Sequence, residues 1–196
     1  MGTTKFNNLR KIPYLKARDY LRTGDILFCS GEHIVSKLIR KFSNSNISHV
    51  GIIVKWNSRV LLLESVEDDG VRIIPFSQYV NNYENSKKPY AGKLYIGRHR
   101  TLHAPTFNKE DLREMLGKAA DLLNRKYDKN EITKIISRIA LGLSSHKDDD
   151  EYICSEFVDI CFDHIGIKFD RDKSGFIFPE HIAKDENVKA LFEVIN

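Results

Sequence analysis

Two adjoining apolar runs, ISHVGIIVKW (47–56) and RVLLLESV (59–66), constrain this chain more than any other feature. Ile47, Val50, Ile52, Ile53 and Val54 supply the β-branched bulk that strands favour, and Asn57-Ser58 is a two-residue turn. The pattern predicts an antiparallel hairpin in which Trp56 opposes Arg59, Gly51 opposes Glu64 and His49 opposes Val66. His49, Gly51 and Glu64 then lie on one face, with His49 and Glu64 as diagonal neighbours. Gly51 carries no side chain, so it leaves room for the carboxylate to lean toward the imidazole. A one-residue slip would put the two groups on opposite faces. A carboxylate inside an apolar strand is costly unless it is partnered. Placed beside an imidazole, it selects the ring tautomer and stabilises the imidazolium.

The rest of the chain reads as strands early and helices late, which predicts an α+β fold. An N-terminal arm and a short helix near Tyr14 to Leu21 occupy residues 1–23. Gly24-Asp25 turns into a short strand, DILFC (25–29), and HIVSKLIRKF (33–42) is an amphipathic helix. After the hairpin, Asp68-Asp69-Gly70 turns into VRII (71–74), Pro75 opens a short helix over 76–83, and GKLYIGR (92–98) is a further strand. Asn108 is the expected N-cap of a helix over 109–125. A second helix covers 131–143, an acidic loop covers 144–151, and a last strong helix covers 154–165. Strand-like pieces are expected at 167–169, 175–178 and 190–195. With no repeat and no long linker, residues 1–196 read as a single domain.

The last strong helix, within YICSEFVDICFDHIG (152–166), carries Cys154, Phe157, Val158, Cys161, Phe162 and Ile165 at the spacing of a buried stripe, and Gly166 is the expected stop. Cys154 falls in the first turn. There the unpaired N–H groups and the helix dipole favour a thiolate and could hold an oxyanion. Cys161 lies two turns deeper, about 10 Å away at 1.5 Å per residue, and belongs to the core. Cys29 reads as core as well. By this stripe alone Cys154 is equally a core cysteine or a nucleophile. A thiol at a helix start together with an imidazole–carboxylate pair on a strand are the parts of a thiol hydrolase.

Composition narrows the classes. Three cysteines cannot all pair within the chain, which argues against a disulfide scaffold and for a reducing compartment. No apolar run approaches the roughly 18 residues that span a bilayer. The first 21 residues hold no signal-type apolar stretch, so the chain reads as soluble, either cytoplasmic or exported with its leader already removed. Residues 1–100 hold 17 Lys and Arg against 8 Asp and Glu, and residues 101–196 hold 14 against 19. The basic first half could attract anionic partners such as the lipid headgroups of a membrane surface, phosphates or nucleic acid, or the two halves simply mix in one fold and the asymmetry means little. No nucleic-acid motif accompanies it, so no nucleic-acid partner is expected.

GDILF (24–28), ISHVGIIV (47–54), the glutamate ending LLLES (61–65) and YICSEFV (152–158) together resemble the permuted NlpC/P60 enzymes. More narrowly, they resemble the YiiX/YebB-type branch of papain-like cysteine hydrolases. The likeness runs from about residue 22 to Pro179, and the histidine strand precedes the cysteine helix, which is the circularly permuted order. The resemblance implies an antiparallel sheet packed against helices, with the nucleophile at the N-terminus of a buried helix. Matched position by position, it implies Cys154 as nucleophile, His49 as base and Glu64 as orienting residue; no cofactor is expected, and the weakness of paired metal-ligand signatures argues against a metal. The resemblance implies a small peptide, amide or lipid substrate. The Asn-Cys-Glu-His motif of the lecithin:retinol acyltransferase-like branch is missing, which disfavours an acyltransferase of that kind.

The expected function is therefore a cysteine hydrolase that cleaves an amide bond, for instance in a cell-wall-derived peptide, through a Cys154–His49–Glu64 triad and a thioester. The alternatives are a lipid-acyl hydrolase on the same triad and a ligand-binding module of the same fold. A metal site on Cys154, His49 and Glu64, or on Cys161 with His164, is a further rival. His99 and His103 share His-x3-His spacing but fall in RHRTLHAP, which reads as a solvated basic loop or an anion contact.

Overall fold

A computed structural model describes residues 4–31, 40, 45–126, 153–173 and 175–196. The expected helices over 33–42 and 131–143 and the acidic loop 144–151 lie outside the described residues, apart from Arg40 in the first of them.

In chain order the elements are β1 (Lys11–Pro13), α1 (Tyr14–Tyr20), β2 (Ile26–Gly31), β3 (His49–Trp56), β4 (Arg59–Val66), β5 (Gly70–Pro75), α2 (Ser77–Asn81), β6 (Gly92–His99), α3 (Lys109–Asp121), α4 (Cys154–Asp163), α5 (Pro179–Lys184) and β7 (Val188–Ile195). The seven described strands form one sheet in the order β1-β7-β6-β2-β3-β4-β5. Only β1 and β7 pair in parallel; every other neighbouring pair is antiparallel.

Apolar cores lie on both faces of the sheet. Ile26, Phe28, Val50, Ile52, Leu63 and Val71 pack with Met115 and Ala119 of α3 and with Phe157, Val158, Cys161 and Phe162 of α4. Leu27, Cys29, Ile53, Leu62 and Ile96 pack with Tyr14 and Ala17 of α1 and with Tyr79 and Val80 of α2. Strands covered on both faces gain from apolar residues at every position. This is why ILFC and GIIV read as continuous apolar runs rather than as alternating ones.

The GDILF stretch pins β2 to β3. Gly24 N–H donates to Ile53 O at 2.9 Å, and Ile53 N–H donates back to Asp25 O at 2.7 Å. Gly24 takes a φ of +88°, and a Cβ there would meet Leu102 at 2.9 Å, so both backbone and space call for glycine. The Asp25 carboxylate, fully buried, accepts Arg22 N–H at 2.8 Å and Arg98 Nε at 2.6 Å and Nη2 at 2.8 Å. That single side chain ties the β2 turn to the end of β6.

Three local expectations are corrected. Helix α3 begins at its expected cap, where Asn108 accepts Glu110 N–H at 3.0 Å, but it ends at Asp121 rather than at 125. Asn124 takes a φ of 65°, and residues 124–125 exchange backbone hydrogen bonds with Val71. Pairing with the edge of β5 outweighs four more residues of helix. The pieces 167–169 and 175–178 form no strands; Ile167 and Phe169 pack against the α4 core, and Phe176 and Phe178 against Ile153. Between the second piece and β7 stands the unforeseen helix α5, which Pro179 opens in the position where its missing N–H costs nothing.

Candidate active site

The β3–β4 ladder runs from Trp56↔Arg59 to Ile52↔Leu63, the register that the two-residue turn predicts, with Asn57 at a φ of 52°. His49 begins β3 opposite Cys29 of β2. Glu64 lies in β4 opposite Arg72 of β5 and is fully buried. His49 Nε2 meets Glu64 Oε2 at 2.7 Å, and the His49 side chain is 15% exposed.

Gly51 makes this approach feasible. A Cβ there would meet Leu62 Cδ1 at 2.8 Å, the Leu63 carbonyl oxygen at 2.9 Å and Glu64 Cβ at 3.3 Å. The carbonyl belongs to the ladder and cannot yield without shifting β4. Gly51→Ala is therefore expected to destabilise the fold by about 1–3 kcal/mol, as overpacking does. It should also displace Glu64 from His49, so activity should fall further than the stability loss explains. Thermal unfolding and kcat/KM measured on the same preparation check both.

Helix α4 packs on β3 and β4, and Cys154 is its first residue. The helix is positioned by its own first turn. Glu156 Oε2 accepts the Ile153 N–H at 3.2 Å, and Ser155 Oγ donates to Ile177 O at 2.8 Å. Ile153 packs with Phe176 and Phe178 beside this turn. The Cys154 thiol lies within range to influence the His49 imidazole through charge and hydrogen bonding. Since Nε2 is committed to Glu64, the nitrogen left for sulfur is Nδ1. Thiol, imidazole and carboxylate thus form one interacting chain, hydrogen-bonded between His49 and Glu64. Its sulfur end sits where the unpaired N–H groups of a helix favour negative charge.

Burial by itself would lower the pKa of the His49 imidazole. The charge and hydrogen bond of Cys154, and those of Glu64, outweigh it and raise the pKa to about 10. Burial would likewise push Glu64 up, but the His49, Arg72 and Tyr79 contacts hold it below the usual carboxylate value. The arrangement accommodates an imidazolium beside the thiol, backed by a carboxylate held in its charged form.

Of the other described thiols and histidines, Cys161, His99 and His103 have other neighbours, while Cys29 lies opposite His49. Cys161 is buried in the α4 core, which pushes its thiol up to about 12. Cys29 is fully buried, and its pKa is raised chiefly by that burial. His99 does not lie in a solvated loop. It ends β6, buried, with its ring 6.0 Å from those of Phe162 and Phe169. His103 Nε2 lies 3.6 Å from Asp25 Oδ1. Among the described residues, no group of three or more His, Cys, Asp and Glu side chains is arranged to hold a metal ion. No described helix is long and apolar enough to cross a membrane.

Two residues of the site escaped the sequence reading. Arg72 approaches Glu64 Oε1 through Nε at 2.9 Å and Nη2 at 2.8 Å, and the Tyr79 hydroxyl donates to Glu64 Oε2 at 2.6 Å. Arg72 had a signal: it is the one charge in VRII, and a turn at 67–69 places it opposite Glu64. Tyr79 had none, because one tyrosine among several in a short helix does not announce its partner.

Residues 20–195 match the family model of permuted papain-like amidase enzymes, YaeF/YiiX, C92 family. Among solved structures, the chain is similar to metalloprotein yiiX from Escherichia coli O157:H7, at 18% identity and a TM-score of 0.64, over 89% of this chain and 98% of that one. A search of curated proteins returns no match. The α+β fold is thus the permuted papain-like one, and the chain belongs to the C92 family of permuted papain-like amidases, the YaeF/YiiX type, and is a cysteine amidase or peptidase.

Proposed function

We propose that the protein hydrolyses an amide bond of a small, peptide-like substrate through a Cys154 thioester, with His49 as general base and acid and Glu64 as the residue that orients the imidazole. The observation that carries this reading is the double engagement of His49, hydrogen-bonded to Glu64 on one side and influenced by the nearby Cys154 thiol on the other. The sulfur attacks the carbonyl carbon, and the oxygen takes up negative charge near the Cys154 N–H at the start of α4. The C–N bond breaks as His49 delivers its proton to the departing amine. Water then gives a proton to His49 and attacks the thioester, releasing the acid and restoring the thiol.

The donor set does not fit a metal centre. Glu64 Oε1 is taken by Arg72, and Oε2 by His49 and Tyr79. A cation at Glu64 would displace these donors and face the Arg72 guanidinium. The term metalloprotein attached to yiiX therefore has no counterpart in the chemistry of Glu64 here.

Two measurements test the proposal. A panel of acyl-amide and lipid-ester probes, read by mass spectrometry, should leave a hydroxylamine-labile acyl group on Cys154 and none elsewhere; labelling by lipid esters alone would move the substrate class away from amides. The second is the pH profile. Because the imidazolium persists up to about pH 10, the alkaline limb of kcat/KM is expected there rather than near the ordinary histidine value. A limb near neutrality would contradict the assigned contacts.

A further inference from the structure

A carboxylate with no exposure to water should take up a proton, because desolvation penalises its charged form. Glu64 is fully buried, yet it faces His49 as a charged group must if it is to hold an imidazolium. His49 itself does most to keep it charged, and two elements outside the three-residue chain add to this. Arg72, its cross-strand partner on β5, places Nε and Nη2 on Oε1 at 2.9 and 2.8 Å. Tyr79, from α2, donates to Oε2 at 2.6 Å, the same oxygen that meets His49.

Both side chains are themselves held. Arg72 pairs through Nη1 with Asp69, and its side chain is only 20% exposed. The Tyr79 ring is buried and packs against Tyr83 at 4.9 Å and Tyr90 at 5.2 Å, and it lies within 10° of parallel to the His49 ring at 6.5 Å. Each oxygen of Glu64 therefore has fixed donors, and the carboxylate can neither rotate nor take a proton without breaking one of them. A phenol suits this place, because the same burial and the neighbouring carboxylate keep Tyr79 protonated and donating.

We propose that Arg72 and Tyr79 are positioning residues of the reaction, which hold Glu64 ionised with Oε2 aimed at His49 Nε2 and so set the lowest pH at which the Cys154–His49 pair is active. The inference rests on the Cys154–His49–Glu64 reading. When Glu64 takes up a proton, it stops stabilising the imidazolium, and the sulfur loses its charged partner.

The test is the rate of Cys154 alkylation by iodoacetamide as a function of pH, which needs no substrate. It is measured on the full chain for wild type, His49→Ala, Arg72→Gln, Arg72→Lys and Tyr79→Phe, with thermal unfolding alongside. In Arg72→Gln the acid limb should rise by about one pH unit or more, a tenfold loss of rate on that limb, with rates near wild type at pH 8. Tyr79→Phe should move the limb the same way by less, and Arg72→Lys, which keeps the charge, should restore most of it. If Arg72→Gln does not fold, Tyr79→Phe and Arg72→Lys decide the matter. Lower melting temperatures with an unmoved limb in these variants would overturn the inference and leave plain structural roles. An unchanged wild-type rate in His49→Ala would instead overturn the underlying triad reading.

Discussion

Cys154→Ala is expected to lower kcat for amide hydrolysis by about 10^4–10^6-fold, the range found when a nucleophile or its partner is removed from a covalent hydrolase. Stability should change little. Alanine is the best helix former, and the buried sulfur contributes about as much as one methylene group, roughly 1 kcal/mol. The helix start does not depend on the thiol, because its anchors are the Glu156–Ile153 and Ser155–Ile177 hydrogen bonds. The variant should therefore melt within a few degrees of wild type while losing turnover and the labile acyl adduct. Retention of more than about a tenth of wild-type kcat would mean that another group is the nucleophile.

The second large effect separates two substitutions at one position. Glu64→Ala removes the acceptor of Arg72, Tyr79 and His49 at once, leaving a largely buried guanidinium with Asp69 as its remaining partner and a buried phenol unpaired. Breaking a buried charge pair on one side costs about 3–5 kcal/mol, so this variant should be strongly destabilised or fail to fold. Glu64→Gln keeps the volume and one acceptor oxygen. It should fold, and lose about 10^2–10^4-fold in kcat, because an amide neither stabilises the imidazolium nor selects its tautomer as a carboxylate does. Urea unfolding and steady-state kinetics of both variants check this; equal stability of Glu64→Ala and wild type would show that the network does not form.

The pH dependence of stability follows from the same contacts. The folded-state pKa of Glu64 is lowered, so its contribution is present above the ordinary carboxylate range and disappears as pH falls through the folded value. The pKa of His49 is raised to about 10, so its contribution is complete below the ordinary histidine value and disappears as pH climbs through about 10.

Much of the fold is written locally. The turn Asn57-Ser58, with β-branched residues on both sides, suffices for the register that places His49, Gly51 and Glu64 on one face. The Asn108 cap and the stripe running from Cys154 to Phe162 suffice for the starts of α3 and α4. These features depend on neighbours within a few positions, where period and turn geometry leave few choices.

Other features depend on distant partners, and there local pattern fails. Residues 124–125 leave the helix because the edge of β5 offers them hydrogen bonds, which no reading of their own sequence reveals. The strand β1, three residues long, exists because β7 lies beside it. Tyr79 is a member of the site only because α2 folds under Glu64. So the amino-acid order alone determined the hairpin, its polar face and the helix that begins at Cys154, since these arise from short-range geometry. Only the tertiary structure decided that this helix start meets His49 and that Arg72 and Tyr79 enclose Glu64, because those encounters come from packing both faces of one sheet, where burial rather than local preference selects the partners.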